Sequence, residues 1–140
     1  MPRRPLFLYI YHMKTLYWFV LSLLLYAACD LAFINLFAKS FIGRQVGWLL
    51  APQPDLKAAA LFYLIFVGGL LYFCVWPAAT AAKALQNGAF FGLVTYATYE
   101  LVNKSLLDRW PWPLVWVDLA WGIAVGAVVS WASWKLGRYI

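Results

Sequence analysis

Four apolar runs, each close to the length needed to cross a bilayer, occupy most of this chain. They extend from about Leu16 to Ala38, Leu56 to Trp76, Ala84 to Val102 and Leu114 to Trp134. A membrane-spanning helix needs roughly 20 mostly apolar residues. Hydrocarbon offers no water to peptide N–H and C=O groups, so a spanning segment is a helix or a strand of a closed barrel. Barrel strands are about ten residues long and alternate apolar with polar. These runs are longer and apolar on most sides, which selects helices. Composition agrees, with 66% hydrophobic and 11% charged residues, against roughly 25% charged in soluble domains. A disordered chain is excluded, and no segment fits a soluble domain. The expected fold class is all-α: an integral membrane four-helix bundle with short links.

Residues 1–12 read as an N-terminal extension and 13–140 as the four-transmembrane-helix domain, because Met13-Lys14 directly precedes the first run and looks like a start. His12, outside the runs, is expected to be an exposed surface group. The first link, Lys39 to Asp55, holds two glycines, Pro52 and Pro54, with room for a short interfacial helix over Phe41 to Leu50. Pro77 ends the second run, and Pro111 and Pro113 discourage helix before Leu114. Leu25 to Cys29 superficially suggests a lipoprotein signal. Tyr26 is too bulky for that site and hydrophobicity resumes beyond Cys29, so the first helix is expected to be retained. Cys29 and Cys74 lie inside apolar runs and read as small buried hydrophobes. Neither a CxxC pair nor zinc-ligand spacing occurs, and no metal is expected.

An even number of spans puts both termini on one side. That side holds Arg3, Arg4, Lys14, Lys83, Lys135 and Arg138, against Lys39, Arg44, Lys57, Lys104 and Arg109 on the other. The bias of basic residues assigns both termini to the cytoplasm, in a bacterial inner membrane.

The polar residues inside the runs carry the most information. Asp30 lies past the middle of the first helix, Glu100 lies late in the third, and Asp118 lies early in the antiparallel fourth. At 1.5 Å rise per residue the three carboxylates fall in the same third of the membrane. Ionisable groups at such depth are costly and face a bundle interior or polar cavity. Tyr96, Tyr99, Glu100 and Asn103 follow i, i+3, i+4, i+7 spacing and share one stripe. Asn35 is placed one turn beyond Asp30, and the Trp121 indole lies next to the carboxylate level. The expected cluster is therefore Asp30, Glu100 and Asp118 with Tyr96, Tyr99, Asn103, Asn35 and Trp121. Tyr63 and Tyr72 could also turn polar tips inward. The other tryptophans, Trp110, Trp112, Trp116, Trp131 and Trp134 among them, read as interfacial anchors.

Small residues define two further stripes. Gly88 and Gly92 lead to Tyr96 and Glu100, and Asp118 leads to Gly122 and Gly126. Small-xxx-small faces let membrane helices pack closely, so the third and fourth helices are expected to meet along them. One stripe could instead serve a homodimer or another membrane protein. Membrane lipids are the expected surroundings, and nothing points to nucleic acid.

Carboxylates at close range repel, so such a cluster is expected to hold a proton. It could be a structural or binding network, a site for proton- or cation-coupled transport of a small solute, or an intramembrane acid–base centre acting on a lipid-like substrate. No serine elbow, HExxH motif or phosphate-binding loop is present. The residues identify no catalytic group and no cofactor.

Taken together, Asp30, Leu61-Phe62-Tyr63-Leu64 with Gly69 and Tyr72-Phe73, Asn87 to Gly92, Tyr96-Ala97-Thr98-Tyr99 with Asn103, Trp110-Pro111, and Val117-Asp118 with Trp121-Gly122 form a pattern. From Met13 to Lys135 it resembles the bacterial predicted membrane proteins of the DUF2177 family. Members often carry Asp where this chain has Glu100, which keeps the charge and adds a methylene. The resemblance implies a small helical membrane protein and brings no activity, substrate or cofactor.

Overall fold

The computed structural model describes residues 6–139, with side chains from residue 10 onward. Its elements are α1 (Leu6–Phe33), α2 (Lys39–Val46), α3 (Leu56–Leu70), α4 (Ala81–Leu106) and α5 (Trp112–Gly137). Wider, π-type turns at Ile34–Ala38 and Leu71–Val75 follow α1 and α3, and a 3-10 turn at Gly47–Leu49 follows α2. Helix already begins at Leu6, so residues 6–12 are the first turns of α1. Residues 1–5 of the expected extension lie outside the described residues. His12 is exposed.

The helix starts have clear local causes. Asp55 caps α3 by accepting from Lys57 N at 2.9 Å and Ala58 N at 3.2 Å. Thr80 caps α4 by accepting from Lys83 N at 3.1 Å. Side-chain oxygens at this position satisfy amides that have no partner inside the helix. Pro113 lies in the first turn of α5, where its missing N–H costs nothing.

Three segments are long and apolar enough to cross a membrane: Ile10–Leu49, Leu56–Val75 and Trp112–Gly137. The first is one continuous helical path of 40 residues, about 60 Å at the α-helical rise and twice the hydrocarbon thickness. Its far end must therefore leave the hydrocarbon. There Phe41, Ile42 and Val46 pack on Trp110, Leu114 and Val115. The first link thus contains a helix, joined to α1 without a break. α4 has 26 residues, enough to span, but it is more polar. Much of that polarity is satisfied internally: Thr95 donates to Phe91 O at 2.8 Å and Thr98 to Val94 O at 2.6 Å. Such bonding back to the helix removes exposed donors from hydrocarbon.

Among the described residues the four long helices close into a bundle. α1 packs on α3 and α5, and α4 packs most extensively on α5. α4 also meets the π turn at the end of α3, while with α3 itself it shares few close backbone approaches, Phe66 packing on Phe91 and Tyr96. α3 and α4 therefore join near Pro77 and part toward the opposite end. Indole N–H groups fasten the terminal end: Trp18 donates to Ser133 O at 2.8 Å and Trp134 to Ala78 O at 2.9 Å. Arg138 lies 3.9 Å from the Trp134 ring at this end, and Arg109 lies 4.9 Å from the Trp48 ring at the other. Paired aromatic and basic groups are suited to the two membrane–water boundaries.

The α4–α5 contact is one of backbone on backbone. A Cβ on Gly92 would collide with the Gly122 carbonyl, and one on Gly88 with the Gly126 carbonyl and the Ser130 hydroxyl. A Cβ on Gly122 would enter the Tyr96 ring. Gly92→Ala or Gly122→Leu should therefore force the helices apart. The expected loss is about 1–3 kcal/mol for one added methyl, with Leu worse, measured as thermal unfolding in detergent. Gly43→Ala is the control, since nothing lies within 4 Å of its Cβ position, and its melting temperature should not fall.

Candidate functional site

Three helices meet at Asp30. Tyr63 of α3 donates to Asp30 Oδ2 at 2.7 Å, and Trp121 of α5 donates to Asp30 Oδ1 at 3.3 Å. Phe33, almost one turn further along α1, stacks on Trp121 with centroids 4.1 Å apart and planes 5° apart, which fixes the indole. One turn before Asp30, the fully buried Tyr26 shares a hydroxyl–hydroxyl hydrogen bond of 3.0 Å with Tyr96 of α4. The edge-to-face contact of Tyr26 with Tyr63, at 5.5 Å, closes the group.

Glu100 is 0% exposed. Trp110, in the link between α4 and α5, donates to Glu100 Oε2 at 2.7 Å, while Oε1 has no donor. Lys104 holds that link by donating to the Trp110 carbonyl at 2.6 Å. Asp118 lies close to Glu100 across the α4–α5 contact. Asp118 also faces a cavity of about 490 Å³, whose other walls are Phe62 and Phe66 of α3 and Thr95, Tyr96 and Tyr99 of α4. The cavity occupies the gap where α3 and α4 part.

The structure thus brings Asp30, Trp121, Tyr96, Glu100 and Asp118 into one region. Tyr99 is largely exposed at the cavity mouth, with its hydroxyl near Asn103. Asn35 does not join them. It is exposed and donates to Leu31 O at 2.7 Å within its own helix. Five residues advance an α-helix by about 140° beyond a full turn, so Asn35 cannot share the face of Asp30. Tyr72 is also exposed. Two contributors escape a reading by spacing and depth. Tyr26 is four residues before Asp30, a signal available from the 3.6 period. Trp110 reads as an anchor because it follows the apolar run, but it is only 7% exposed and serves Glu100. Among the described residues no group of three or more His, Cys, Asp or Glu is arranged to hold a metal ion.

These features define a small integral membrane helical bundle with a buried polar and aromatic network. The chain belongs to the family described as predicted membrane protein DUF2177, whose model matches residues 15–135. No curated protein and no solved structure matches it.

Trp110→Phe removes the donor to a fully buried carboxylate. It should cost about 1–3 kcal/mol, the usual penalty for stranding a buried polar group, and lower the melting temperature in detergent. The effect should be markedly smaller in a Glu100→Leu background. Equal losses in both backgrounds would show that Trp110 acts by packing alone.

Proposed function

We propose that this bundle binds an amphipathic, lipid-like molecule, which enters from the bilayer between α3 and α4 and puts its polar end at the carboxyl cluster. The observation that carries this reading is the cavity of about 490 Å³ between α3 and α4 with Asp118 in its wall. Sites for small molecules are concave, mostly apolar and fitted with a few convergent polar groups. Phe62 and Phe66 supply apolar wall; Tyr96, Tyr99 and Asp118 supply the polar groups. Passage across the membrane is less well supported. Val67, Leu70, Leu71, Val125 and Val129 form a buried apolar layer between the cluster and the terminal end. Chemistry on the bound molecule would require Glu100 and Asp118 as the acid–base pair, and no further group in the cavity wall favours that reading.

In this reading the protein lies in a bacterial inner membrane with both termini in the cytoplasm, and the cavity opens in the opposite leaflet. A reporter enzyme fused after residue 140 should give a cytoplasmic signal; an external signal would reverse the leaflet and leave the site unchanged.

Thr95→Trp should fill the cavity. Protein extracted gently from its membrane should carry a lipid-like adduct in native mass spectrometry, and this variant should lose most of it while melting normally. Val128→Trp, on the exposed side of α5, should retain it. Persistence of the adduct in Thr95→Trp would refute the cavity as the binding site.

A further inference from the structure

The chemistry of the cavity wall restricts what the polar end of a bound molecule can be. Four of the six lining residues are aromatic: Phe62, Phe66, Tyr96 and Tyr99. The rings of Phe62 and Phe66 lie 5.6 Å apart, and Tyr96 stands edge-on to Phe66 at 6.2 Å. Aromatic faces carry negative potential and attract organic cations, quaternary ammonium groups above all. The one ionisable carboxyl in the wall is Asp118, and no lysine, arginine or histidine lines the cavity among the described residues.

Behind Asp118 lies an incomplete partner. Glu100 is fully buried, and its Oε1 receives no N–H or hydroxyl donor. Among the described residues the Trp110 indole is the one hydrogen-bond donor to Glu100, and no basic side chain lines the cavity beside Asp118. Nearby titratable groups mostly have partners of their own. Asp30 on α1 is occupied by Tyr63 and Trp121. Tyr96 on α4 is bonded to Tyr26, and Tyr99 lies at the mouth. Lys104, one turn past Glu100, is held by the Trp110 carbonyl and lies 5.4 Å from the Trp112 ring. Carboxyl groups buried without a basic partner favour an incoming cation. An anionic head would add repulsion. A bare metal ion would need about six oxygen ligands, which this mostly carbon-lined wall does not supply.

We infer that the molecule held between α3 and α4 bears a cationic head, an alkylammonium group, which lies against the aromatic wall and the Asp118 carboxyl. The inference rests on the binding reading above and specifies its ligand class. The alkyl chain remains toward lipid, while the head contacts the rings and Asp118.

The test uses the full chain in uncharged maltoside detergent with three probes of equal chain length: decyltrimethylammonium, decanol and decyl sulfate. Binding is read by titration calorimetry. The ammonium probe should bind most tightly and decyl sulfate least. Asp118→Asn should lose the cation preference while still binding decanol. Tyr99→Leu, at the exposed mouth, should weaken the ammonium probe and spare decanol, so the inference remains testable if Asp118→Asn folds poorly. Equal binding of decanol and the cation would overturn the cationic head and leave the cavity reading intact. Binding of all probes unaffected by Thr95→Trp would overturn the cavity reading itself, and this inference with it.

Discussion

The close approach of α4 to α5 governs the rest of the molecule. In lipid, helices gain little from hiding apolar side chains, because the tails around them are equally apolar. Association depends on close packing and on polar contacts that the bilayer cannot replace. Gly88, Gly92, Gly122 and Gly126 clear the seam where they face one another, so that carbonyl oxygens of one helix lie where Cβ atoms of the other would stand. This contact seats the Tyr96 ring over Gly122 and carries Glu100 to Asp118. A seam widened by one methyl would separate the carboxyl groups before it disrupted either helix.

Partners for the acids come from aromatic residues. Asp30 receives Tyr63 and Trp121, and Glu100 receives Trp110. Each donor brings a hydrogen bond and a large apolar body, which suits a site that is polar at one atom and surrounded by hydrocarbon. These donors stabilise the acids without neutralising them. A lysine in place of Trp110 would complete an ion pair and make the site inert toward a cation. The use of neutral donors leaves the acids without a basic partner, and Asp118 is the one carboxyl of the three that lines the cavity.

The cavity itself follows from the way α3 and α4 diverge. Near Pro77 they are pinned: Phe91 of α4 lies against Gly69, where an added Cβ would come within 3.0 Å of the ring, and packs with Phe66 and Phe73. Asn87 of α4 donates to the Cys74 carbonyl in the π turn of α3 at 3.4 Å. Beyond this junction no comparable contact holds the pair, and Phe62, Phe66, Thr95 and Tyr99 line the resulting gap. π turns interrupt the regular carbonyl pattern and often occur near functional positions. Here one supplies the acceptor that anchors α4.

Membrane class and helix number are legible in residue order alone, because hydrocarbon thickness sets a minimum run and unsatisfied peptide groups exclude everything except helices and barrels. Shared faces are legible as well. Four-residue spacing marks the glycine stripes, and counting from the helix ends places Asp30, Glu100 and Asp118 at similar depth. What spacing cannot supply is the partner across a gap. Asn35 has the right chemistry and the wrong angle, and only the helix phase excludes it. Trp110 lies outside every apolar run, yet the fold of the α4–α5 link turns it inward onto Glu100. The parting of α3 from α4 is equally invisible in their sequences, since both are apolar enough to pack closely. Local sequence determined each helix and the face it offers. Tertiary packing decided which faces meet and where they fail to meet, because those outcomes depend on side chains from segments far apart in the chain competing for the same space.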